Sequence, residues 1–189
     1  IGNLTIADGG TVSIGRIRYD YVDESPSGSQ VAVFDNSILG KLYLGTEVTG
    51  TGSLNIGAAE GYAAASTGFL EASEIVFGAG DGNLVFNHTD TSGLYEFNTA
   101  LNSSVAGQGT IKQLAGVTVL NSDQSGFTGK TLVSGGELIV NDILGGNATV
   151  NGGLLQVNGT FNGSTAINDG KLVIDGLLLG NATVNGGLL

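Results

Sequence analysis

The 189-residue chain contains no cysteine, no methionine and no tryptophan, and a single proline, Pro26. Without cysteine there are no disulfides and no thiol chemistry. No apolar run reaches the 18 residues that a bilayer-spanning helix needs. Basic residues are scarce: Arg16, Arg18, Lys41, Lys112, Lys130 and Lys171 stand against 17 acids, for a net charge of −11. A nucleic-acid ligand needs a basic stripe, and an anionic membrane surface would repel such a chain, so both are set aside as partners, as is bilayer insertion. Histidine occurs once, at His88. One imidazole and no thiolate make a zinc site implausible, and no metal or cofactor is expected.

What is present in excess is glycine, 34 residues in a chain that is 41% apolar. No three-residue period exists, which excludes collagen. Glycine spread through an apolar chain points to many tight turns between short strands.

The nine residues NATVNGGLL occur at 147–155 and again at 181–189. Beneath this 34-residue identity lies a period of 17, visible on aligning 130–142, 147–159 and 164–176 with the closing nine residues. One column reads Val133, Val150, Ile167, Val184; a second Leu138, Leu155, Leu172, Leu189; a third Val140, Val157, Ile174. A fourth alternates Phe127, Leu144, Phe161, Leu178, matched by Thr131, Ala148, Thr165, Ala182. Bulky Phe goes with Thr, and Leu with Ala. Two glycine columns (129, 146, 163, 180 and 136, 153, 170, 187) and two polar columns (Ser134, Asn151, Asn168, Asn185 and Asn141, Asn158, Asp175) fall between them. Gly, Asn and Asp are expected there for the positive φ that corners demand.

Within each unit the constant apolar positions sit two apart, as in Leu155 and Val157, while intervening sites accept Glu137, Leu154 or Lys171. Period two is a strand signal, with the constant set facing inward. Strands and turns repeating every 17 residues define a solenoid, and a lone circuit cannot bury its apolar face without neighbours. The expected fold is all-β: a right-handed parallel β-helix, with about 17 residues per coil in the C-terminal half. Residues 1–189 read as one domain, irregular over 1–110 with longer coils and loops, regular over 111–189. The excursions are expected at 16–30 and 57–73, the second with a short helical turn in its alanine run. The chain begins at Ile1, and its last repeat breaks off inside what should be a strand, which suggests a piece of a longer protein whose final coil frays or pairs with another chain.

The stretch GQGTIKQLAGVTVLNSDQSGFTGKTLVSGGELIVND (107–142), with GSLNIGAAEG (52–61) and FGAGDGNLVFNHT (77–89), resembles autotransporter passenger domains of Gram-negative bacteria that carry the autotransporter-associated β-strand repeat. The likeness covers roughly residues 50 to 189. It implies a surface-exposed or released β-helical stalk, exported across the outer membrane through a C-terminal barrel, in a family rich in adhesins, self-associating biofilm factors and virulence proteins. Other members carry added protease or esterase domains. The implied partners are a host-cell surface or matrix, or a second copy. Absence of cysteine suits passage through an oxidising periplasm.

Catalytic signals are thin. His88 in NHTD lacks a nucleophile-elbow motif and reads as a solvated turn residue. The acids Asp20, Asp23, Glu24, Asp35 and Glu47 could line a groove, as in polysaccharide-cleaving β-helices, if two carboxylates stood about 5–9.5 Å apart. GAGDG (78–82) matches part of a calcium-binding nonapeptide, but only once. N-x-S/T triplets such as those at 87–89, 102–104, 147–149 and 158–160 follow from Asn turns preceding Thr-bearing strands. The Asn columns are expected to hydrogen-bond up the stack. Exposed aromatic anchors are expected at Tyr19, Tyr21, Tyr62 and Phe69. The chain is thus expected to be a non-catalytic adhesin or self-association stalk; the alternatives are the polysaccharide-active reading and a passive spacer for an enzyme domain elsewhere.

Overall fold

The computed structural model describes residues 2–21 and 30–189. Among them no helix occurs, and the chain winds as a parallel β-helix with three strand faces per circuit. The first face stacks Gly2–Ile6, Thr51–Gly57, Asp81–Asn87, Thr110–Ala115, Lys130–Val133, the leading parts of Asn147–Val157 and Thr165–Ile174, and Ala182–Val184. The second carries Thr11–Ser13, Phe69–Glu71, Glu96–Phe97, Val117–Leu120, Glu137–Val140 and the trailing parts of the two long strands. The third carries Lys41–Leu44, Glu74–Phe77, Ala100–Ser103, Ile143–Leu144, Thr160–Phe161 and Leu177–Leu178.

Circuit length falls along the rod. In the first-face column Leu4, Leu54, Leu84, Ile111, Thr131, Ala148, Thr165, Ala182 the spacing drops from 50 residues to 30, 27 and 20, then stays at 17. The 17-residue column Val133, Val150, Ile167, Val184 is in direct register, and its first three members are fully buried. Leu138, Leu155 and Leu172 stack likewise on the second face. The fourth column departs from expectation. Gln124, not Phe127, pairs with Leu144, because this circuit holds three extra residues. Phe127 is still wholly buried, edge-on to Phe77 with ring centroids 5.3 Å apart.

Polar groups inside such a winding are costly unless hydrogen-bonded, and two glutamines find partners there. Gln124 is fully buried: its side-chain oxygen accepts the Leu101 amide at 2.6 Å, and its Nε2 donates to the Thr99 carbonyl and to Ser122 Oγ. It substitutes for a missing strand on the third face. Gln113 turns into the core at a first-face position and donates to the Ala115 and Gly116 carbonyls where the ladder bulges.

The two glycine columns serve different ends. Gly136, Gly153, Gly170 and Gly187 all have φ between 62° and 76°, the left-handed corner expected. In the other column only Gly146 has positive φ; at Gly163 a Cβ would lie 1.6 Å from the Gly146 carbonyl, so that corner needs absence of a side chain rather than a special φ. The Asn columns also differ from expectation in conformation, since Asp8 is the one non-glycine residue with positive φ among those described. Their role is lateral. Asn185 donates to Asn168 at 2.8 Å, Asn168 to Asn151 at 2.9 Å, and Asn158 to Asn141 and Asn141 to Asn121 at 2.7 Å each.

Two excursions leave the winding. One is an antiparallel pair, Gly15–Tyr21 with Gln30–Leu39, between the second and third faces of the first circuit. The other, 58–68, is built of turns and bridges with no helical turn.

Candidate functional site

The sequence-derived candidates fall in separate places. Tyr19, Asp20 and Tyr21 lie on the antiparallel arm opposite Ala32, Val31 and Gln30, and Asp35 lies opposite Arg16. Asp23 and Glu24 lie outside the described residues. Glu47 is exposed in the turn that follows Lys41–Leu44, where its carbonyl accepts the Gly50 amide at 2.7 Å. Among the described residues no three acidic or imidazole groups converge.

Tyr62 projects from the second excursion, 76% exposed. That excursion is held to the rod by Asn87, whose side chain donates to the Ala59 and Tyr62 carbonyls at 3.1 and 3.0 Å, and by an ion pair of Glu60 with Lys112 at 2.6 Å. Phe69 is 49% exposed and packs on Tyr95, with ring centroids 5.9 Å apart.

Phe69 stands at a break in the second face. Phe69–Glu71 pairs only with Thr11–Ser13, and Glu96–Phe97 only with Val117–Leu120. The Phe69 amide and the Glu71 carbonyl are used by the Thr11–Ser13 side, so alternation turns the Leu70 backbone the other way, toward a cleft of about 440 Å³. Its walls include Phe69, Glu71, Glu96, Asn98 and Thr99. Beneath it lies Tyr95, buried, with its hydroxyl donating to the Gly68 carbonyl at 3.0 Å. Burial raises the Tyr95 phenol above its usual range.

His88 corrects the expectation of a solvated turn. It is wholly buried, 4.9 Å from the Tyr95 ring, with Nε2 2.9 Å from Thr118 Oγ1 and Nδ1 without a partner. A Cβ on Gly116 would stand 2.2 Å from Nδ1, so that glycine makes room for the ring. Burial lowers the imidazole below its ordinary value, offset in part by Asp90. Asp90 itself is held below the usual carboxylate range by the Ser92 hydroxyl and amide. A histidine with no exposed surface cannot reach a substrate, so this cluster is a polar staple between circuits. Sequence patterning misses it because the circuit is lengthened here and its period is lost.

The fold is that of a parallel β-helical solenoid. The chain is 38% identical over 126 residues, 64% of its length, to a protein described as the uncharacterized lipoprotein YdeK of Escherichia coli strain K12. The match spans 9% of that much larger protein. No family model matches the chain, and no solved structure is significantly similar.

Proposed function

We propose that this chain is a non-catalytic stalk segment of a bacterial envelope protein of the autotransporter-passenger type, exposed at the cell surface and acting by adhesion to host surfaces or to its own kind. Continuity of the first-face ladder from Gly2–Ile6 to Ala182–Val184 is the observation that supports the reading: it builds an extended stack of circuits. The likeness to a lipoprotein supports an envelope location. The antiparallel pair Gly15–Tyr21 with Gln30–Leu39 and the excursion 58–68, both outside the uniform coils, offer contact points. Many weak contacts along a rod sum by multivalency.

The test is display of residues 1–189 on non-aggregating bacteria, beside a version lacking 16–30, scored for clumping and for attachment to cultured host cells. The reading expects gain of at least one phenotype with the full segment. Identical behaviour of displaying and empty bacteria in both assays sinks it.

A further inference from the structure

Asparagine precedes glycine at 151–152, 158–159, 162–163 and 185–186. Such a step is chemically weak. Glycine has no side chain to shield its nitrogen, and it lets the chain bend toward the neighbouring side-chain amide. These steps are not held alike. Asn158 is gripped from both sides: Nδ2 donates to Asn141 Oδ1 at 2.7 Å, and Oδ1 accepts Gln156 Nε2 at 2.8 Å. The Gly159 amide that follows donates to the Val140 carbonyl at 3.0 Å. Asn185 donates to Asn168 at 2.8 Å, and the Gly186 amide to the Ile167 carbonyl at 3.1 Å. Asn151 Oδ1 accepts Asn168 Nδ2 at 2.9 Å.

Asn162 is exposed, and among the described residues neither its side chain nor the Gly163 amide has a hydrogen-bond partner. Its column explains this. Phe161 lies between Leu144 and Leu178, so the residues on either side of Asn162 are Gly145 and Leu179, which offer no polar side chain. No amide ladder can form there. The flanking amides are anchored, that of Asn162 on the Leu144 carbonyl and that of Ser164 on Asn147 Oδ1, both at 2.9 Å. The Gly163 amide is left free between them.

We propose that Asn162 is a deamidation site of the folded protein, at the Asn–Gly step that the stack leaves unguarded. The Gly163 nitrogen loses its proton to hydroxide and bonds to Asn162 Cγ. The Cγ–Nδ2 bond breaks, and ammonia leaves with a proton taken from water, which restores the hydroxide. The cyclic imide then adds one water across either of its two carbonyl–nitrogen bonds, giving aspartate or isoaspartate. Nothing is oxidised or reduced, and water is the co-reactant. At Asn158 and Asn185 the glycine amide must first leave its carbonyl, and the side chain its ladder, which holds the reaction back as it does amide exchange. Aspartate fits the fold, since Asp169 and Asp175 already precede Gly170 and Gly176 at other corners. Isoaspartate lengthens the main chain where there is no room: even a Cβ on Gly163 would lie 1.6 Å from the Gly146 carbonyl. That product opens the corner, so it lowers stability. The inference is independent of the stalk reading.

The test is to hold residues 1–189 in mildly alkaline buffer, folded and in unfolding urea. Samples are cut with pepsin in acid, where the reaction stalls, and each site is read by tandem mass spectrometry. In the folded protein Asn162 should convert at least about tenfold faster than Asn151 or Asn158, whose bonds must open first. In urea the rates should come within a few-fold of one another, since the local sequences are alike. Asn162→Gln should remove the early acidic species on isoelectric focusing, and circular dichroism checks that the folded sample stays folded. Conversion of Asn151 or Asn158 as fast as Asn162 in the folded protein overturns the proposal. So does a spread of rates that persists in urea, because structure would then not be its cause.

Discussion

Leu154 and Leu155 are adjacent, chemically identical and, in a parallel winding, on opposite sides of the sheet. Leu155 is wholly buried in the column with Leu138 and Leu172, whereas Leu154 is half-buried at the surface. Leu155→Ala removes three methylene-equivalents from a close-packed stack that is pinned by ladders on both sides and can collapse little. The expected cost is about 3 kcal/mol, within the 2–5 range for buried Leu→Ala. Leu154→Ala loses only part of a side chain's contact and should cost under about 1 kcal/mol. With a urea m-value of about 2 kcal/mol/M, these translate to midpoint drops of about 1.5 M and under 0.5 M. Chemical denaturation followed by circular dichroism checks the pair, and amide exchange should place the Leu155→Ala weakening in circuits 130–146 and 164–180 as well as its own. Midpoint shifts of equal size would refute the inward–outward assignment, and with it the register of the whole regular section.

Gly170→Ala should cost about 1–2 kcal/mol in thermal or urea melts, since φ is +76° and the new Cβ would stand 2.5 Å from the Gly153 carbonyl. Asn168→Ala breaks both its ladder hydrogen bonds, at 2.8 and 2.9 Å, and should cost about 1 kcal/mol, reduced by solvent exposure; a stability equal to the parent would remove the ladder from the account. Buried neutral His88 gives stability that is complete above its ordinary value of 6.5 and is lost as pH falls from there toward its lowered native value, because the unfolded chain takes up the proton first. A urea midpoint should therefore decline between pH 7 and 5 in the parent and less steeply in His88→Gln; parallel slopes would refute this.

Where the period is constant, parity and repetition were enough to read the structure. Val133, Val150 and Ile167 stack as their spacing demands, and the Asn columns bond laterally as expected. Where the circuit lengthens, the same rules lose their reference. Gln124 takes the place that spacing assigns to Phe127, because three added residues move the corner without moving the hydrophobic count. His88 looks like a turn residue from NHTD and proves to be core, since burial of a lone imidazole depends on Thr118, Tyr95 and Gly116, residues brought to it from other circuits. The cleft beside Phe69 was not legible for a related reason. It arises from an omitted strand pairing, and a missing hydrogen bond leaves no mark on composition.

The two halves of the rod solve one problem in different ways, and that division bears on function. In the 17-residue circuits each rung repeats the last, so stability is a sum of nearly equal neighbour terms and no rung is special. Outward side chains there are constrained by the Asn ladders at the corners and, between them, mainly by solubility. In the longer circuits the interior is heterogeneous, with Gln113, Gln124 and His88 each held by particular partners. Buried Asn87, in the same section, holds the 58–68 excursion through the Ala59 and Tyr62 carbonyls. Mutation of an interior polar group there should disturb an exposed loop, whereas mutation of an interior Leu in the regular section should disturb only its neighbours.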